Sequence, residues 1–193
     1  MRRSSALAVS AAACLLVGAV SAGAAVLVVG TQKGHQCFLA AKLGVDVRGG
    51  IKLCEEALRD GGLDSKDVAA THVNRGVLYD MVQRYDEAFD DFNHSVRINP
   101  AIGDGYLNRG VALIRLKRLD EAMADIQKGI DLGVSQPEIG FYDRAVAYEQ
   151  MGKIKEAYYD YKRSQEALPG GYAPATEALK RFVVTRTPPQ PGT

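Results

Sequence analysis

A block of four residues, Asn74-Arg75-Gly76-Val77, returns 34 positions later as Asn108-Arg109-Gly110-Val111. A period of that length limits the chain to stacked repeats, because each copy is one supersecondary unit that buries its apolar face only against a neighbour. After Gly76 the columns hold Tyr79, Tyr85, Ala88, Phe92 and Pro100, and after Gly110 they hold Leu113, Leu119, Ala122 and Ile126. A third copy, Asp143-Arg144-Ala145-Val146, continues with Tyr148, Ile154, Ala157, Tyr161 and Pro169. It begins one residue late, after the long turn Leu132-Gly133-Val134-Ser135-Gln136.

Each copy reads as a helical hairpin. Val73, Gly76, Val77 and Met81 recur at three-to-four spacing, which marks one face of a helix. Glycine costs a helix interior about 1 kcal/mol against alanine. Its use at Gly76 and Gly110 therefore points to close helix–helix approach, with Ala145 in the same column of the third copy. The second helices pair a small residue with a large one four later, Ala88 with Phe92 and Ala157 with Tyr161. Pro100 and Pro169 end their units, since proline cannot continue a helix.

Over Lys66 to Pro169 these columns resemble the tetratricopeptide repeat, in three copies at about 69–102, 103–136 and 138–171. The resemblance implies an all-α, right-handed solenoid of stacked hairpins with a concave groove lined by the first helices. Arg75, Arg109 and Arg144 stand where the family often has leucine, and Gly129 where alanine is usual. Upstream, 35–63 reads as a degenerate hairpin, with helices from His35 to Lys42 and Gly50 to Leu58. Downstream, Ala173 to Phe182 reads as a helix that caps the 66–183 domain through Ala175, Leu179 and Phe182. The tail 184–193, with Pro188-Pro189 and Pro191, is expected to be disordered.

The first thirty residues differ in kind. Arg2 and Arg3 precede an uncharged run from Ala6 to Val29, the pattern of a secretory signal peptide over 1–24. Ala22-Gly23-Ala24 offers a cleavage site, with Val20-Ser21-Ala22 and Gly23-Ala24-Ala25 close behind. The run is also long enough for an uncleaved anchor, which takes roughly 20 apolar residues. Both readings export the repeats, to the periplasm if the source is bacterial, and membrane contact comes only through this segment. A lipidated Cys14 is disfavoured by the short apolar run before it.

Without the leader, Cys37 and Cys54 remain. Export permits a disulfide between them, and antiparallel helices would bring them to similar heights. Two buried thiols are the alternative. Two cysteines without a histidine pair do not make a metal site, so no metal or cofactor is expected.

By resemblance, the partner-binding groove holds Val73, Asn74, Val77, Asp80 and Met81 from the first copy. The second supplies Leu107, Asn108, Val111, Ile114 and Arg115, and the third Tyr142, Asp143, Val146, Glu149 and Gln150. An amide both donates and accepts, so the column Asn74, Asn108 and Asp143 suits an extended main chain. The same residues could instead solvate the groove or bond to neighbouring helices. Only Arg115 offers a cation there, too few for the clamp with which some family members take acidic tails.

Arg75, Arg109 and Arg144 are each followed sixteen residues later by Asp91, Asp125 and Asp160. These read as salt bridges within the stack, fixing helix register, rather than as ligand contacts. His35, His72 and His94 read as isolated structural residues, and no nucleophile, acid–base pair or phosphate loop suggests an enzyme. A formal charge of +1 gives no basic field for nucleic acid. The expected role is a protein–protein interaction scaffold that binds a peptide or partner domain. The alternative is an assembly subunit of a larger envelope complex, working through its convex face or ends.

Overall fold

The structure is a computed structural model that describes residues 7–11 and 23–186. Four helical hairpins follow one another. They are α1 (Gln32–Leu43) with α2 (Val47–Asp60), α3 (Ser65–Met81) with α4 (Tyr85–Ile98), α5 (Gly103–Arg115) with α6 (Leu119–Leu132), and α7 (Pro137–Gln150) with α8 (Ile154–Ala167). A short α9 (Ala173–Leu179) packs on α8. Each second helix also packs on the first helix of the next hairpin, while α1, α3, α5 and α7 adjoin in turn as the floor of a trough. None of the helices among the described residues is long and apolar enough to cross a membrane.

The first three helices start on side-chain caps: Thr31, Asp46 and Asp64 accept from the N–H groups of Gly34, Gly49 and Asp67. In the three repeats the turn between helices needs a left-handed residue, supplied by Gln83, Lys117 and Gly152. Only the third uses glycine, the residue that adopts this conformation without a Cβ penalty.

Inside each hairpin the glycine columns bring helices together. A Cβ on Gly76 would stand 2.8 Å from Phe92 Cδ1, and one on Gly110 would stand 2.6 Å from Ile126 Cγ1. Gly129 meets backbone: its Cβ would lie 2.8 Å from Gly103 O and 2.9 Å from Leu107 N. The unusual glycine in the second copy therefore lets α6 touch α5 main chain to main chain.

Two regions differ from the sequence reading. Leu7–Ala11 forms a strand, β1, which pairs antiparallel with a second strand, β2 (Phe182–Arg186), in the register Leu7↔Arg186 to Ala11↔Phe182. The tail thus begins as a strand rather than as disorder through residue 186, because β1 supplies the ladder partners that a lone segment lacks. The capping helix also ends earlier than expected. Phe182 still seals the last hairpin, packing with Tyr158 and Tyr161, but from the strand. Arg2, Arg3, Cys14, the Val20-Ser21-Ala22 motif and Pro188 to Thr193 lie outside the described residues.

Candidate functional site: an occupied groove

The trough floor carries the predicted columns. Val73, Val77, Leu107, Val111, Ile114 and Val146 are buried, as are Asn74, Asn108 and Asp143. What covers the first two repeats is the chain itself. Residues 23–30 run along the floor as an extended segment without regular secondary structure of their own.

Asn108 Nδ2 donates to Ala24 O at 2.9 Å, and Ala24 N–H donates to Asn108 Oδ1 at 3.1 Å. One repeat back, Asn74 Nδ2 donates to Val26 O and Val26 N–H to Asn74 Oδ1, both at 2.8 Å. Each asparagine therefore satisfies both main-chain groups of one residue, and this reciprocal pairing fixes the orientation of its amide. Residues two apart in an extended chain present their main-chain groups on the same side, so one strand meets both rungs. Beyond the ladder, Gly30 N–H donates to Asp67 Oδ2 at 2.6 Å and Val28 O lies 3.2 Å from His35 Nδ1. The strand runs from the second repeat back to the N-terminal hairpin, against the order of the repeats.

Side chains lock the segment in place. Val28 is fully buried with Phe38 and Ala70, in a space that exists because Gly34 has no side chain: a Cβ there would lie 2.6 Å from Val28 Cγ1. Ala24 is buried, and Ala25 and Val26 pack on the apolar cluster around Val73 and Val77. Leu27 and Val29 face out, 55% and 76% exposed. Above the strand an open cleft of about 760 Å³ remains, bordered by Ala25, Leu27, Phe38, Lys42, Met81 and Asp104.

The charged groove residues are engaged with one another. Arg115 reaches Asp80 with two contacts of 3.3 Å, so the one arginine predicted to project into the groove is partnered across the repeats. Burial raises the Asp80 carboxyl above its usual range, the Arg115 charge offsetting only part of that. In the third copy Glu149 accepts from Tyr161 Oη and Arg181 Nη2, both at 2.8 Å. Gln150 meets Lys117 Nζ at 3.4 Å, and Tyr142 packs against Tyr161 and Tyr172. Burial pushes the Tyr172 phenol up to about 12, and that of Tyr161 higher still. The third repeat is thus sealed by an aromatic and ionic plug that sequence periodicity gave no sign of, because Tyr172 and Arg181 lie outside the repeat.

The arginine columns lie behind the floor. Arg75 binds Asp91 bidentately at 2.7 and 2.8 Å, while Arg109 with Asp125 and Arg144 with Asp160 do so at 2.6 and 2.8 Å. Two of them reach further. Arg109 Nη1 donates to Asn93 of the preceding hairpin, and Arg144 Nη1 to Gln127 of the preceding hairpin. One guanidinium thereby joins its own helix to the second helices of two successive hairpins.

His72 is not isolated, as the sequence reading had it. Its Nδ1 lies 2.9 Å from Asp91 Oδ1, and its ring stacks on His94 at 5.4 Å. The pairing was hidden because His72 and Asp91 sit on different helices, 19 residues apart. Burial would raise the Asp91 carboxyl, but the hydrogen bonds from Arg75 and His72 outweigh it and hold it below the usual range. Cys37 and Cys54 face each other across α1 and α2 at bonding distance, with Cα atoms 4.9 Å apart.

Successive antiparallel hairpins around a continuous trough define the class, a helical-repeat protein with a concave face. The α5–α6 hairpin matches the family model described as tetratricopeptide repeat, over residues 103–132, and the other hairpins repeat its form. Several solved structures share the fold. The crystal structure of PilW, described as a widely conserved type IV pilus biogenesis factor, is 27% identical with a TM-score of 0.67, over 78% of this chain and 69% of that one. A second, MamA AMB-1, is 29% identical with a TM-score of 0.54, over 70% of this chain and 76% of that one. A third is the first repeat domain of Spaghetti (RPAP3) bound to the HSP90 peptide SRMEEVD, 28% identical with a TM-score of 0.55, over 61% and 90%. No curated protein matches the chain in sequence.

Proposed function

We propose that this chain is a non-catalytic interaction scaffold of the bacterial envelope, and that its groove binds an extended segment of a partner protein through Asn74 and Asn108. A single observation carries the reading: the two amides already hold main chain, each taking one N–H and one C=O of the bound residue. Recognition of that kind reads backbone rather than side chains and accepts many sequences. The similar repeat domain with a bound peptide shows that the fold supports such a role in another protein.

Export rests on the basic start and apolar run of the first thirty residues, with an anchor as the alternative to cleavage. Cleavage after Ala22 would leave both rungs of the ladder filled, whereas cleavage after Ala24 would remove the Asn108 rung. In an oxidising compartment Cys37 and Cys54 would form a disulfide, which their facing positions favour.

The occupancy of the floor also favours the assembly-subunit reading, in which the convex face or the ends do the work. Affinity capture from an envelope extract separates the two. Asn74→Ala/Asn108→Ala abolishes recovery of the partner if the groove binds it; undiminished recovery by that variant would point to the outer faces.

A further inference from the structure

We infer that residues 23–30 are the resident ligand of the groove, and that a partner engages it by displacing them with an extended, uncharged segment of the same small-and-aliphatic pattern. The inference rests on the peptide-binding reading and goes beyond it by naming what competes for the site and what chemistry fits.

Main-chain pairing alone would accept any strand, so the selection lies in the side-chain space. At the Asn108 rung there is room for almost nothing. A Cβ on Gly23 would lie 3.0 Å from Val77 Cγ2 and closer still to Asn108 Oδ1, and the Ala24 methyl is already buried. Four residues on from Ala24, the nest of Phe38 and Ala70 takes a branched aliphatic side chain whole. Charge is excluded by the state of the floor. Asp80 and Arg115 neutralise each other, and Asp67 is directed at the Gly30 N–H. An acidic tail would find the floor arginine taken, and any charged residue at the Ala24 or Val28 position would be buried without a partner.

The resident strand also has the advantage of connection. It runs straight into Thr31, the cap of α1, so it competes at the millimolar effective concentrations that short tethers give. A partner sees only the fraction of molecules whose groove is open, and its apparent affinity falls by that fraction. The cleft over Ala25 and Leu27 gives an incoming strand a place to begin the exchange.

The test uses the whole chain produced without export, so that residues 23–30 are retained. Its probe is a fluorescent peptide of residues 23–30 carrying a C-terminal lysine pair for solubility. In the wild type, hydrogen exchange at the Ala24 and Val26 amides should be at least about 10-fold slower than at Ala25 and Leu27, which turn away from the ladder. Expelling the strand with Ala24→Asp/Val26→Asp should tighten peptide binding about 10- to 100-fold. Gly23→Val serves as a milder second variant, and unchanged circular dichroism shows that the repeats remain folded. Adding Asn74→Ala/Asn108→Ala to the expelled variant should reverse the gain. Equal, measurable affinity in wild type and expelled variants, with uniform exchange across residues 24–27, overturns the resident-ligand inference and leaves peptide binding standing. Failure of every folded variant to bind the peptide overturns the peptide-binding reading, and the displacement with it.

Discussion

The N-terminal hairpin and the three repeats solve one problem by different chemistry. Aligned on helix ends, Cys54 takes the column of Phe92, Cys37 that of Arg75, and Leu53 that of Asp91. The repeats fix the register of their helices with a bidentate ion pair and an aromatic or aliphatic side chain laid over glycine or alanine. The first hairpin has neither at those columns; Lys33 pairs with Glu56 and Asp60 nearer the helix ends, and two sulfurs stand at the crossing. The ion pair suits an interior repeat, because Arg109 and Arg144 use a spare N–H to reach back to the preceding hairpin. Among the described residues no hairpin precedes the first for it to reach, so a tie within the hairpin serves it better. Its exposed flank is closed by residues 23–30, which place Val28 against Phe38.

The comparison is broken most severely by removing one member of a buried ion pair. Arg144 and Asp160 side chains are 8% and 2% exposed, so Asp160→Ala strands a buried guanidinium. It should cost about 3–5 kcal/mol in urea unfolding, and a loss under 1 kcal/mol would mean that the pair is not what holds α7 to α8.

Next comes the sulfur pair. Cys37→Ser/Cys54→Ser should destabilise by about 3 kcal/mol, the chain-entropy value for so short a loop. The loss should appear as faster hydrogen exchange in α1 and α2 while α5 to α8 keep their protection. Equal loosening throughout would show that the two regions do not differ as described.

The smallest effect concerns pH. The Asp91 carboxyl is held below its usual range by Arg75 and His72. Its contribution is complete above the unfolded value near 3.9 and disappears as pH falls through the lower folded value. Asp80 and Asp104 act in the opposite sense, because burial raises both carboxyls and protonation relieves that cost as pH falls. The urea midpoint should therefore rise as pH falls from 6 toward about 4 and drop below that, and the rise should be missing in Asp80→Asn/Asp104→Asn. An unchanged slope in that variant would remove the offset.

Much of the architecture was legible before any coordinates. The columns of Gly76 and Gly110, Phe92 and Ile126, and Arg75 with Asp91 belong to contacts inside a hairpin, at separations that helix geometry fixes. Position along such a repeat translates directly into place in the stack. The resemblance to the tetratricopeptide repeat put Asn74, Asn108 and Asp143 on the concave floor.

What periodicity could not supply was any contact between the repeats and segments outside them. The meeting of Asn108 with Ala24, 84 residues away, has no spacing rule behind it, and neither does the ladder of β1 with β2. Composition marked residues 6–29 only as apolar, which is equally what a leader, an anchor or a groove strand requires. Repeat columns alone thus determined the solenoid and the chemistry of its floor. Only the tertiary structure decided that this floor is filled, because an amide ladder binds whichever extended main chain comes within reach, and here the nearest one is the chain's own.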